Sequence, residues 1–288
     1  MSTAPFRFSD PGIHWTVPDP DELALRVRLR AARMVARHGL GYLGQALSSA
    51  EQVAAVFAVA RPGRDQLVCS PGHYVIGPFA AAAELGLIGE DAIGTYGDDG
   101  AVFEAIGTER SPVFDYTCGS LGQGLSAAAG LALAGRLRDE DGSRVFAMVS
   151  DGELEEGQVW EAAMFAAHHR LDRLTVLLDA NNSQVDGPVD TITTIEPIAA
   201  KWEAFGWHAA DVDGHDTRAV AAALERAGAE TARPSAIICR TSLKHGLDCL
   251  PADADGHFIK LPPGLADAAV AELTVKLRNL ETPGARPA

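Results

Sequence analysis

The sequence is poor in cysteine. It has four in 288 residues, Cys69, Cys118, Cys239 and Cys249, and none forms a C-x-x-C pair. A reduced, cytoplasmic chain with neither a disulfide-built scaffold nor a structural zinc site is the expectation. No apolar run approaches the roughly 18 residues that a spanning helix needs, so no membrane partner is expected. The opening MSTAPFRFSDPG has no basic segment leading into an apolar one, and no signal peptide is expected. Positive charge is also short: 24 Lys and Arg face 39 Asp and Glu, a formal charge of −15. Such a chain lacks the basic field needed to hold nucleic acid or an anionic membrane nonspecifically. An anionic ligand would have to be held by a metal ion or by aimed backbone N–H groups. Neither G-x-G-x-x-G after the first strand nor a G-x-x-x-x-G-K-[ST] loop is present, which argues against a plain nucleotide-binding domain.

What is there is an ordinary globular balance, 47% hydrophobic and 22% charged. Residues 1–18 are rich in proline and aromatics and read as an arm. Asp19-Pro20-Asp21-Glu22 reads as a helix start, with a capping Asp, a Pro at the first position and acids in the first turn. That helix runs to His38, with Leu23, Val27, Ala31, Met34 and Val35 on one side. Ser48-x-x-Glu51 reads as a capping box opening a second helix. Four short runs, 66–70, 144–150, 174–180 and 235–240, are apolar or β-branched almost throughout. Continuous apolarity marks strands buried on both faces of a parallel sheet. Helical stretches, roughly 75–86, 119–138, 157–170, 196–205 and 216–228, lie among them. The alternation predicts one α/β domain, 19–280, with a doubly wound, mostly parallel sheet and helices on both faces. Residues 281–288 read as a tail.

Ligands of such sheets bind outside the carboxyl ends of the strands. Pro71-Gly72-His73 follows one strand, Asp151-Gly152-Glu153 another, and Asn181-Asn182-Ser183 a third. Asp and Asn side-chain oxygens are hard donors that suit Mg²⁺ completed by phosphate. Gly152 lets a diphosphate approach the main chain. The alternative is that Asp-Gly and Asn-Asn are simply turn formers. Gly119-Ser120-Leu121-Gly122-Gln123-Gly124 exposes amides at a helix entrance, which favours electron-rich groups; a tightly packed loop is the alternative.

The ordered run Ser70-x-Gly72-His73, Gly119-Ser-Leu-Gly-Gln-Gly124, Asp151-Gly-Glu-Leu-x-Glu156-Gly-Gln-x-Trp160-Glu161, Asp179-x-Asn181, Gln184-x-Asp186-Gly187, Lys201-Trp202-x-x-Phe205-Gly206-Trp207 and Asp213-Gly214-His215-Asp216 resembles the thiamine diphosphate region of transketolases. The likeness covers roughly residues 20–260. It implies that Asp151, Asn181 and the carbonyl of Ser183 hold Mg²⁺, and that Gly152 and Glu153 lie with the cofactor. It implies that His73 and His257 approach the diphosphate or thiazolium end, and that Gly119, Ser120 and Leu121 line the aminopyrimidine. Glu156 and Glu161 match glutamates that link two cofactor sites across an interface. The bland readings stay open: His73 as a helix cap, His257 as a solvated loop residue, and both glutamates as first-turn acids.

Only the pyrophosphate domain of a transketolase is matched. The resemblance therefore implies the amino-terminal subunit of a split enzyme, active with a pyrimidine-domain partner as an α2β2 heterotetramer. Two substrate-side positions depart from the family pattern. Tyr42, in Gly41-Tyr42-Leu43-Gly44, stands where a His is usual, and Thr108, in Gly107-Thr108-Glu109-Arg110, or a gap, replaces another. The cofactor half of the pattern is kept and the sugar-recognition half is altered. The expected reaction is two-carbon ketol transfer from a ketose to an aldehyde. Decarboxylative acyl transfer from a 2-oxo acid and a non-catalytic scaffold are the alternatives.

Overall fold

The computed structural model describes residues 6–138 and 142–281. The predicted arm is partly visible and lies on the chain's own body. Phe8 is fully buried and meets Trp15 and Phe57 at centroid distances of 4.7 and 5.2 Å. Helix α1 (Pro20–Ala36) starts as predicted, with the Asp19 carboxylate accepting from the amides of Asp21 and Glu22. Strand β1 (Leu40–Gly41) and helix α2 (Leu43–Val59) follow.

The predicted capping box at Ser48 and Glu51 is not formed. Both residues lie inside α2, which starts at Leu43. Their polarity serves distant partners instead: Ser48 Oγ donates to Asp179 at 2.6 Å, and Glu51 takes both ends of the Arg28 guanidinium at 2.6 and 2.7 Å.

Strand β2 (Gln66–Cys69) leads through a single 3₁₀ turn at Gly72–Tyr74 into α3 (Ile76–Glu84) and the one-turn α4 (Glu90–Ile93). Strand β3 (Tyr116–Thr117), helix α5 (Gln123–Leu137) and strand β4 (Val145–Ser150) come next. Then come α6 (Gly157–His168), β5 (Leu174–Ala180), the short α7 (Val189–Ile192), α8 (Ile198–Ala204) and β6 (His208–Asp213). Helix α9 (Thr217–Ala229), β7 (Ser235–Arg240), β8 (Ile259–Lys260) and α10 (Pro263–Glu281) complete the chain. Glu281 ends α10; the rest of the predicted tail lies outside the described residues, as do residues 1–5 of the arm.

The main sheet has six parallel strands in the order β3-β2-β4-β5-β7-β6, and β1 pairs with β8 in a separate antiparallel ribbon. Both faces of the central strands are buried, and alternate residues serve opposite cores. Phe146, Met148, Leu177 and Ile237 face α1, α2, α3, α9 and α10. Val145, Ala147, Val149, Val176, Leu178 and Ile238 face α5, α6 and α8, where Trp202 and Trp207 are fully buried. The chain leaves β2 toward the β3 edge and leaves β4 toward β5. The strand order therefore reverses between β2 and β4, and the crevice at their carboxyl ends is where such sheets bind ligands.

Candidate functional site

Three strand ends converge at this crevice. Asp151 follows β4 and Asn181 follows β5; the two strands are paired residue by residue up to Ser150 opposite Asp179. Asp151 is 2% exposed. Its carboxylate accepts from the amides of Gly152 (2.8 Å) and Asn182 (2.5 Å). Burial, reinforced by the negative charge of Asp179, pushes the Asp151 carboxyl up to about 7. Asn181 turns its amide nitrogen onto Tyr74 Oη and Asp179 Oδ2, both at 2.8 Å, and its Oδ1 accepts from the Ser183 amide at 3.0 Å.

Asp179 is the hub beneath these ligand candidates, and its importance was not read from the sequence. It is 1% exposed and accepts from Ser48, Gln52, Tyr74, Asn181 and Thr241 at 2.6–2.9 Å. The signal that would have found its partners is a polar stripe on α2: Gln45, Ser48, Ser49 and Gln52 recur at helical spacing in a mostly apolar helix, and all four are buried.

Glu153 lies beneath the glycine loop rather than on the open face. It is fully buried, and Oε1 accepts from Ser70 Oγ and from the amide of Gly122. The anion at the entrance of α5 is thus the protein's own. Burial raises that carboxyl to about 7. Gly124 is required where α5 crosses β2, since a Cβ there would stand 2.4 Å from the Cα of Ser70. Gly119, Ser120 and Leu121 remain exposed above this support.

The structure brings Tyr42, His73 and His257 together. Their ring centroids are 5.3 Å apart for Tyr42–His73, 5.1 Å for His73–His257 and 6.1 Å for Tyr42–His257, and Phe258 lies 5.0 Å from Tyr42. Burial holds His73 neutral, lowering it to about 3, and also lowers His257. His73 sits within the 3₁₀ turn after β2 rather than capping α3. Thr108 follows Gly107, whose amide donates to the Gly72 carbonyl at 2.8 Å, so this loop leans on the same strand end. The Thr108 hydroxyl is spent on Glu104 at 2.6 Å. Glu156, the residue before α6, and Glu161, within it, are exposed, and Glu156 packs against Gly122 of the glycine loop.

Asp151, Asn181 and the Ser183 backbone offer the hard oxygens that Mg²⁺ takes. The site also lacks what such a cation supplies. Among the described residues, Asp151 and Asp179 are bonded only to neutral groups, so two buried carboxylates close enough to repel one another have no positive charge bonded to them. A cleft of about 490 Å³ opens beside Asn181 and Ser183, with Leu243, Lys244 and Gly256 on its far wall. A second group, Glu51 with His215 and His245, also gathers possible ligand atoms. It is not a metal centre. Arg28 already takes both Glu51 oxygens, and the Ser242 amide donates to His215 Nε2 at 2.8 Å. The His215 proton therefore sits on Nδ1, facing Glu51.

Residues 21–262 match the family described as transketolase, thiamine diphosphate binding domain. A transketolase family protein of Sinorhizobium fredii is 39% identical over 253 residues, which are 84% of this chain and 90% of that protein. A protein of a Clostridium species, described as a 6-deoxy-6-sulfo-D-fructose transketolase subunit, is 37% identical over 257 residues, 86% of this chain and 93% of its own length. Human transketolase is 30% identical over 267 residues, 90% of this chain but 42% of the human one. A transketolase crystal structure from Pichia stipitis superposes with a TM-score of 0.78 at 26% identity, over 90% of this chain and 41% of that one. The fold, the ordered motifs and these matches together establish that the chain belongs to the transketolase family and carries its thiamine diphosphate binding domain.

Proposed function

We propose that the chain is the thiamine diphosphate- and Mg²⁺-binding subunit of a two-component transketolase-like transferase. It would move a two-carbon ketol unit from a ketose donor to an aldehyde acceptor, and only together with a pyrimidine-domain subunit, as an α2β2 assembly. The observation that carries this reading is the convergence of Asp151 and Asn181 on adjacent strand ends, with two buried carboxylates and, among the described residues, no basic group bonded to them. The partner is supported by the clostridial relative, which is itself described as a subunit and is matched over 93% of its length.

When bound, thiamine diphosphate would supply a nucleophilic carbon and a ring that stabilises the electron pair left on the substrate fragment by carbon–carbon cleavage. The rest falls to the chain. Asp151, Asn181 and the Ser183 carbonyl would hold the cation, and Gly152, whose N–H donates to Asp151 at 2.8 Å, would let the diphosphate approach the main chain. Gly119, Ser120 and Leu121 offer main-chain groups to the aminopyrimidine. His73 and His257, kept neutral by burial, donate hydrogen bonds without adding charge. Glu156 and Glu161, both exposed, face the assembly interface and link its two cofactor sites.

Tyr42 favours a donor other than an ordinary sugar phosphate. A sulfonated ketose such as 6-deoxy-6-sulfo-D-fructose is the first to assay, because the relative just described is named for it. The test is reconstitution with a candidate pyrimidine-domain chain, with ketose and 2-oxo acid donors compared. Turnover is expected only with both chains, thiamine diphosphate and Mg²⁺. Turnover by this chain alone would overturn the two-component reading. Release of CO₂ from a 2-oxo acid in place of ketol transfer would move the assignment to acyl transfer.

A further inference from the structure

We infer that Gln45 is a positioning residue that fixes the proton of the His257 ring on Nε2. This rests on the reading above, in which His257 faces the cofactor. Gln45 lies in the first turn of α2 and is fully buried. Its Nε2 donates to the His257 carbonyl at 3.0 Å and stands 3.4 Å from His257 Nδ1. The amide cannot be turned over, since Oε1 would then face a carbonyl oxygen, acceptor against acceptor. Nδ1 therefore meets a donor and must present its lone pair. Burial keeps the ring neutral, so its single proton is left on Nε2. That N–H is the one the ring can offer to a diphosphate or substrate oxygen.

The surrounding backbone holds this pair in register. The ribbon pairs Leu40 with Lys260 and Gly41 with Ile259, on either side of Gln45 and His257. Gly44 presses so closely on the His257 loop that a Cβ would stand 1.9 Å from the Gly256 carbonyl. Asp255 accepts from the His257 amide at 2.8 Å. Packing alone does not account for a glutamine here. Its Oε1 is buried without a partner, which is destabilising, and an apolar side chain of the same length would avoid that. The Gln45 side chain spends its donors on His257.

The test is ¹⁵N NMR of the histidine-labelled full chain without cofactor or partner, the His257 signals being assigned by their loss in His257→Asn. The wild type should show only the Nε2–H form. Gln45→Leu should give a mixture of both forms, and Gln45→Glu should invert it to Nδ1–H, because the carboxylate accepts where the amide donated. In the reconstituted enzyme, Gln45→Leu should lower kcat about 10-fold with little change in KM. A wild-type Nδ1–H form, or a spectrum unchanged in Gln45→Leu and Gln45→Glu, would overturn the inference. So would expected spectra with an unchanged kcat in Gln45→Leu. The spectra need no catalysis, so they stand even if the transfer reaction proves to be a different one.

Discussion

Asn181 donates its Nδ2 to Oδ2 of Asp179, two residues earlier in the chain, at 2.8 Å. With Tyr74 Oη as the second acceptor, that bond fixes which end of the amide points away from the hub. The Asn181 oxygen is thereby turned away from the hub, where it accepts from the Ser183 amide at 3.0 Å. Asp179 itself is held from four directions: α2 through Ser48 and Gln52, the turn after β2 through Tyr74, its own strand end through Asn181, and the end of β7 through Thr241. One buried carboxylate thus ties the oxygen donors of the site to three other parts of the fold.

Asp179→Ala removes the common acceptor of five donors. Leaving several buried donors unsatisfied costs about 3 kcal/mol or more. Urea denaturation of the purified chain should show the lower midpoint with an unchanged slope. A stability within 0.5 kcal/mol of the wild type, which is about what an ordinary surface substitution costs, would contradict the hub role.

Asp151→Asn should separate stability from binding. The substitution removes one of two neighbouring buried negative charges but turns an amide nitrogen toward one of the two backbone N–H groups that the carboxylate accepts, so the stability of the cofactor-free chain should change little. Thiamine diphosphate affinity in the presence of Mg²⁺ should fall at least ~10-fold, since even outer partners of a metal site carry that much. Calorimetric titration of the assembled enzyme measures it. Undiminished affinity would support a scaffold in place of a catalytic subunit.

The sequence marks some parts of this molecule sharply and hides others. Strands β5 and β7 were bounded to the residue, because a run apolar on both faces has one reading in an α/β chain. Strand β6 was missed because it lies at the sheet edge, where its alternate residues are polar and exposed. Helix α10 was missed although Pro263, Ala266, Ala269, Leu273 and Leu277 carry its start and its period. Ser48 and Glu51 matched a local capping pattern, but their partners lie 131 and 23 residues away, and tertiary contact overrode the local rule. The strand-end residues of the site were legible because topology dictates where such sheets bind. Asp179 and Tyr74 were not singled out for a role, since nothing local distinguishes a hub carboxylate or its phenol partner from an ordinary polar core residue; Gln45 was marked only by the polar stripe on α2.

Gly44→Ala tests the clasp between α2 and the His257 loop. A methyl placed 1.9 Å from the Gly256 carbonyl must displace backbone. Overpacking of this kind costs typically 1–3 kcal/mol. The loss should appear in the urea midpoint. A neutral outcome would show that the loop carrying His257 yields freely.

The Arg28–Glu51 pair sets an acid limit on stability. Both side chains are buried, and although burial opposes it, the Arg28 charge and the His215 hydrogen bond hold the Glu51 carboxyl down at about 2, against 4.5 for the free group. A carboxyl depressed on folding stabilises above its unfolded pKa and loses that contribution as pH falls through the folded one. The window is therefore pH 4.5 down to 2, and the contribution is about 3 kcal/mol. Glu51→Gln strands a buried guanidinium, so it should cost about 3–5 kcal/mol at pH 7. It should also flatten that part of the acid-denaturation curve. An unchanged slope between pH 4.5 and 2 would remove Glu51 as its source.

Tyr42→His asks whether one side chain sets the donor. The Tyr42 ring lies among His73, His257 and Phe258, so an imidazole can occupy the same place without opening a large cavity. The change in stability should stay within about 1.5 kcal/mol, as for other substitutions that leave the surroundings in place. The chemistry changes more than the packing. A phenol donates one hydrogen bond, whereas an imidazole offers two ring nitrogens and exchanges protons near neutral pH. In the reconstituted enzyme the variant should gain about 10-fold in kcat/KM for xylulose 5-phosphate relative to the native donor, a difference of about 1.4 kcal/mol between the two transition states. If the unmodified pair already uses xylulose 5-phosphate as well as any other ketose, Tyr42 does not select the donor. The departure from the family pattern at that position would then be one that the transketolase site tolerates.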